Sequence, residues 1–149
     1  MKLAIRLLVS VLLLVGCGGL EADNVDASSN DNGLALSYTE QLNFNKFLVK
    51  EDKKRVLLVA LKNDLDQIKE LVDSFDFALN ESCNEYNECD KLSPFIKENK
   101  LVLNAEYNKR YLKSKNFKEL CKKSNALGIK SVVYNLELDG KLYKSCKAK

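Results

Sequence analysis

Histidine is missing from this chain: none of its 149 residues is one. Its absence removes the usual general base of serine and cysteine triads and the commonest zinc ligand. Any catalysis must therefore run on carboxylates, tyrosine, lysine or cysteine. A strong charge of one sign is lacking too. The 24 basic and 21 acidic residues leave a formal charge of +3. The basic residues bunch only in a tail at Lys141, Lys144, Lys147 and Lys149, which has no interleaved aromatics and reads as a solvated terminus, so no nucleic-acid partner is expected. Cys83 and Cys89 have five residues between them, beyond the two to four of a typical zinc pair, and Cys121 and Cys146 stand alone. No metal and no other cofactor is expected.

The length suits one domain, and an apolar content of 46 % is ordinary for a globular chain. The first residues read as an address. Met1 to Arg6 gives a basic start, and Leu7 to Val15 is an apolar run too short to span a bilayer comfortably, which predicts a signal peptide over residues 1–17. Leu14-Val15-Gly16-Cys17 also fits a bacterial lipoprotein cleavage site. Cys17 would then be lipidated and would anchor the chain to a membrane; the alternative is an ordinary signal peptide with a chance cysteine. Either route leads to secretion or the cell envelope, where oxidation permits disulfides among the four remaining cysteines. Cys83 with Cys89 is the local pairing, and Cys121 with Cys146 would complete the set.

Short apolar runs ending on a carboxylate recur along the chain. They are Gly19 to Asp23, Val56 to Asp64, Phe75 to Glu81, Leu101 to Glu106 and Ser131 to Asp139. Parallel strands with acids at their far ends pool those acids at one rim, where α/β barrels keep their active sites. Between the strands, Asn30-Asp31-Asn32-Gly33 is a turn cluster and Ser37 opens a helix to about Lys54. Val56 to Leu61 reads as a strand covered on both faces. Asp64 with Gln67 forms a capping box for a second helix that buries Leu65, Ile68, Leu71 and Val72. Further helices are predicted near Asp90 to Glu98 and near Asn116 to Leu127, the latter stopped by Gly128. This alternation predicts an α/β fold of about five parallel strands joined by right-handed crossovers. Five strands with four helices are too few to close an eight-stranded barrel, which usually takes about 200 residues or more.

Several ordered segments carry a resemblance. Glu21-Ala22-Asp23-Asn24-Val25-Asp26, Leu61-Lys62-Asn63-Asp64, Phe75 to Cys83, Glu88-Cys89, Ala105-Glu106-Tyr107-Asn108 and Asn135 to Asp139 resemble successive signatures of glycoside hydrolase family 114. That family comprises endo-α-1,4-polygalactosaminidase-type enzymes with a TIM-barrel fold. The similarity covers about residue 16 to residue 146 and begins at the family's fourth barrel strand. It implies a partial TIM (β/α)8 barrel over residues 18–149, after the signal peptide. It also implies a catalytic carboxylate pair, with Asp23 as nucleophile and Glu81 as general acid/base. In a retaining mechanism the two carboxyls lie roughly 5 to 5.5 Å apart. The implied partner is a polysaccharide, a cationic galactosamine polymer, which would favour an acidic rim.

Glu21, Asp26, Lys62, Asp64, Glu106, Tyr107 and Asp139 are the candidate substrate contacts. Each has a plainer alternative. Asp64 is accounted for by the capping box, and Asp26 and Asp139 by loops. Glu106 and Tyr107 could instead hydrogen-bond other site residues, and Lys62 could either hold a neighbouring carboxylate ionised or be a surface lysine. The open edges of a partial barrel could also pair two copies of the chain. A noncatalytic carbohydrate-binding or degenerate fragment of such an enzyme and a small structural envelope lipoprotein are the competing functional readings.

Overall fold

The computed structural model describes residues 36–147. The predicted first strand, Gly19 to Asp23, the turn cluster at Asn30 and the leader over residues 1–17 lie outside the described residues. The elements, in chain order, are α1 (Tyr38–Lys53), β1 (Ala60–Lys62), α2 (Ile68–Leu71), β2 (Phe77–Glu81), α3 (Ser93–Lys97), β3 (Val102–Glu106), α4 (Ser114–Ala126), β4 (Lys130–Tyr134) and β5 (Tyr143–Ser145), with short 3₁₀ turns before α3 and α4. The five strands form one sheet in sequence order. The first three pairings are parallel, and β5 runs antiparallel to β4.

That last pairing corrects the expectation of an all-parallel sheet, and it sets the lysine-rich tail along the sheet edge, where Lys141 and Lys147 stay exposed and Lys144 is half-buried. Tyr134 packs against Tyr143 with the rings tilted and their centroids 5.5 Å apart, and Lys144 on the opposite face lies 3.9 Å from the centre of the Phe117 ring. Cys146 bonds to Cys121 on α4, and its N–H reaches Ser131 O. Together these contacts hold a lysine-rich segment against the sheet. The second predicted disulfide, Cys83–Cys89, is also present.

Local signals explain most boundaries. Ser37 caps α1 through a reciprocal capping box with Glu40. Gly128, at φ +76°, ends α4, with Ile129 N–H bonding Ser124 O and Gly128 N–H bonding Asn125 O, the paired bonds of a left-handed helix stop. Two expectations differ from the fold. The run from Val56 enters the sheet only at Ala60, because Val56 takes a left-handed φ of 59° in the turn leaving α1 and stays 93 % exposed. Asp64 and Gln67 do not cap α2. Asp64 has φ 44°, and the buried Gln67 donates to Tyr38 O while Asn45 of α1 donates to Asp64 Oδ2 at 3.0 Å. Both side chains tie α1 to the loop after β1 instead.

Strand alternation divides the sheet into two faces. Leu61, Ala78, Val102 and Val133 face the helices. The first three join Leu71, Leu92 and Phe95 in the main core; Val133 packs with Leu120 and Tyr111 in a smaller one. Phe95 is fully buried, and truncating such a side chain to alanine costs about 3–5 kcal/mol. The opposite face carries Phe77, Leu79, Leu103 and Val132 along a groove of about 460 Å³. Glu81 ends the same face of β2, so the apolar layers lie below and the acid lies at the strands' C-terminal end.

Candidate active site

Glu81 ends β2 as a partly buried carboxylate held by Lys62, Asn63 and Tyr107. Parallel register sets Lys62 opposite Leu79, one layer below Glu81 on the same face. From there Lys62 Nζ reaches Glu81 Oε2 at 2.6 Å. Asn63 holds Glu81 twice, its Oδ1 accepting from Glu81 N–H at 2.9 Å and its Nδ2 donating to Oε2 at 3.3 Å. Asn63 makes this bracket from a left-handed φ of 54°, a conformation asparagine tolerates better than most residues. The Tyr107 hydroxyl, just past β3, donates to Glu81 Oε1 at 2.8 Å.

Both titrating groups respond to this arrangement. Partial burial by itself would push the Glu81 carboxyl up, but the hydrogen bonds from Lys62 and Tyr107, the Lys62 charge and Asn63 outweigh it and hold the carboxyl below its ordinary range. The Tyr107 phenol is pushed well up, first by burial and then by its bond to an anionic acceptor. At neutral pH the unliganded site therefore holds a glutamate anion bonded to a neutral tyrosine.

The cleft beside Glu81 measures about 400 Å³. Asp64, Asp66, Glu88, Tyr86 and Tyr107 line it with Glu81, and Lys91 is the cation among them. The acids outnumber the bases, so the lining attracts cations although the chain is net positive. Among the described residues, no group of three or more acidic or cysteine side chains is arranged to hold a metal ion.

The structure brings Glu81, Lys62, Tyr107 and Asp64 to this rim. It puts two other predicted residues elsewhere. Glu106 faces the helices, fully buried, where Oε1 accepts from Asn84 N–H at 2.8 Å and Asn104 Nδ2 at 2.9 Å. Asp139 sits in the loop after β4, outside the cleft lining, bonded to Asn135 and paired with Lys141 at 2.6 Å; the Lys141 bond chiefly lowers its pKa. Glu21, Asp23, Asp26 and Cys17 lie outside the described residues.

A polar floor under the rim escaped the sequence reading. Asn104 Oδ1 accepts from Asn80 Nδ2 at 3.2 Å and from Cys83 N–H at 3.3 Å, and Asn80 Nδ2 also donates to Glu81 O. With Glu106 these bonds fix the backbone from Glu81 to Asn84. The available signal was compositional: asparagine is depleted in strands, yet Asn80 and Asn104 stand inside two apolar ones.

A largely parallel sheet with a glutamate and acidic neighbours at its C-terminal rim is an arrangement that barrel-type carbohydrate hydrolases also use. The model of glycoside-hydrolase family GH114 matches residues 7–149, and the chain belongs to that family. The matched stretch takes in the apolar segment from Leu7 to Val15. Among solved structures, Ega3 of Aspergillus fumigatus in complex with galactosamine is similar, with 29 % identity and a TM-score of 0.74 over 83 % of this chain. The aligned part is 52 % of that protein, so this chain spans about half its length. A comparison with curated proteins finds no match.

Proposed function

We propose that this glycoside hydrolase-like chain hydrolyses α-1,4-galactosaminyl links in an extracellular or envelope polysaccharide, with Asp23 and Glu81 as its carboxylate pair. The observation that carries the reading is Glu81 itself, a strand-end carboxylate held by Lys62, Asn63 and Tyr107 in an acid-lined cleft. That lining suits a polymer bearing protonated amines, and the similar Ega3 structure holds galactosamine. In this mechanism Asp23 attacks the anomeric carbon while Glu81 protonates the departing oxygen, and Glu81 then takes a proton from the water that releases the sugar. Glu81 must first acquire a proton. A second carboxylate at about 5 Å supplies the upward push, because two like charges so close resist joint ionisation.

Export by the leader over residues 1–17, lipidation at Cys17 and pairing of two copies through sheet edges belong to the same proposal. A noncatalytic carbohydrate-binding role is favoured by one observation: the Lys62 ion pair keeps Glu81 ionised, which suits binding an ammonium and opposes proton donation. The discriminating assay incubates the full chain with an α-1,4-galactosamine polymer beside Glu81→Gln and Asp23→Asn. Fragments from the parent protein and none from either variant support hydrolysis. Binding without fragments supports the second role, and neither result sinks both.

A further inference from the structure

The Cys83–Cys89 loop carries an aromatic side chain that neither the core nor the carboxylate cluster uses. Tyr86 is 71 % exposed, and its hydroxyl makes no hydrogen bond among the described residues. It lines the cleft that also holds Glu81 and Tyr107. Its loop is unusually well fixed. The disulfide closes it across a sequence separation of 6, Tyr86 N–H bonds Ser82 O, and Glu88 N–H bonds Cys83 O. From below, Glu106 takes Asn84 N–H and Asn104 takes Cys83 N–H.

An exposed tyrosine on a covalently closed, floor-bonded loop beside a cleft is preorganised to meet a ligand, since little loop entropy remains to be lost on binding. Its chemistry fits a sugar. A pyranose ring has a face of C–H groups that packs on an aromatic ring, while the phenol edge stays wet. A protonated amino substituent adds attraction to the ring's negative face. Asp66 and Glu88, in the same lining, supply the opposite charge for that amine.

We infer that Tyr86 is a stacking platform for an amino-sugar ring next to the cleaved linkage, and that the Cys83–Cys89 disulfide holds it in place. The inference rests on the proposed galactosamine substrate and assigns the subsite where one of its rings lies. Tyr86 sets affinity and register along the polymer; the bond-breaking step belongs to Glu81 and Asp23.

The test titrates the full chain with α-1,4-linked galactosamine oligomers, followed by NMR chemical shifts, for the parent protein, Tyr86→Ala and Tyr86→Phe. Tyr86→Ala weakens binding by about 3- to 20-fold, as expected for losing an aromatic–cation contact. Tyr86→Phe keeps the ring and stays within about 2-fold of the parent, the tenfold-per-1.4 kcal/mol scale leaving little for an unbonded hydroxyl. The side chain is exposed, so thermal melts of all three proteins should coincide. Tyr86→Ala binding as tightly as the parent overturns the platform and leaves the substrate proposal standing. Absence of binding by the parent overturns both.

Discussion

Lys62 Nζ lies 2.6 Å from Glu81 Oε2, joining the ends of two adjacent parallel strands. The pair is partly buried, with side-chain exposures of 26 % and 32 %, so water screens it incompletely. With Tyr107 and Asn63 it offsets the upward push of burial and lowers the Glu81 pKa.

Lys62→Met should therefore raise the Glu81 pKa, read by carbon NMR of the carboxyl through an acid titration. The sign follows from the lowered folded value. Ionised Glu81 contributes stability above its unfolded pKa of about 4.3, and that contribution is lost as pH falls through the folded pKa. Urea melts should show Lys62→Met losing stability at neutral pH and approaching the parent in acid. An unmoved Glu81 titration in Lys62→Met would refute the assignment.

Tyr107 reports on the same glutamate. Glu81→Gln removes the anionic acceptor and leaves burial, with a smaller push from Tyr134, so the phenol pKa should come down part of the way towards its ordinary value of 10.0. Ultraviolet titration of the phenolate band, with Tyr107→Phe to assign it, measures the shift. Tyr107→Phe itself should lower stability by about 1 kcal/mol or less, the value of a charge-assisted hydrogen bond discounted for partial exposure.

Glu106 should matter to folding more than its distance from the cleft lining implies. Glu106→Ala strips the acceptor from Asn84 N–H and Asn104 Nδ2, and a buried donor left without a partner costs about 1–3 kcal/mol. Denaturant melts should show a loss of about 2–4 kcal/mol on that scale. Glu106→Gln, which keeps one acceptor oxygen, should lose less. A larger loss in Glu106→Gln than in Glu106→Ala would contradict this account.

The two disulfides should differ in weight. Replacing Cys121 and Cys146 by serine opens a separation of 25 residues, worth about 3.5 kcal/mol on the chain-entropy scale. Replacing Cys83 and Cys89 opens a separation of 6, worth about 2 kcal/mol on the same scale. Equilibrium urea unfolding of the two double variants gives the comparison, and the reverse order would reject a chain-entropy origin.

What could be read from the sequence was local. Ser37 with Glu40, Gly128 after α4 and the apolar runs around Ala78 and Val102 carry their signals within a few residues, and those elements formed where expected. Cys83 with Cys89 was the local candidate, Cys121 with Cys146 would complete the set, and both bridges are present. Glu81 and Tyr107 were legible as strand-end residues in family signatures. The misreadings depended on partners distant in sequence. Asp64 and Gln67 have capping-box spacing, but Asn45 and Tyr38 of α1 engage them first. The strand around Lys144 was not foreseen, because Phe117 and Cys121 on α4 give it its place. Asn63, Asn80 and Asn104 matter because three strands meet in register, which no window along one segment shows.

The antiparallel β5 gives the sheet a direction of growth. It is three residues long, carries a lysine and is bolted to α4, features that discourage another strand from adding beside it. That side is finished. Among the described residues the edge left for a further strand is β1, which carries Lys62, so a strand added there would enlarge the acidic rim from that flank.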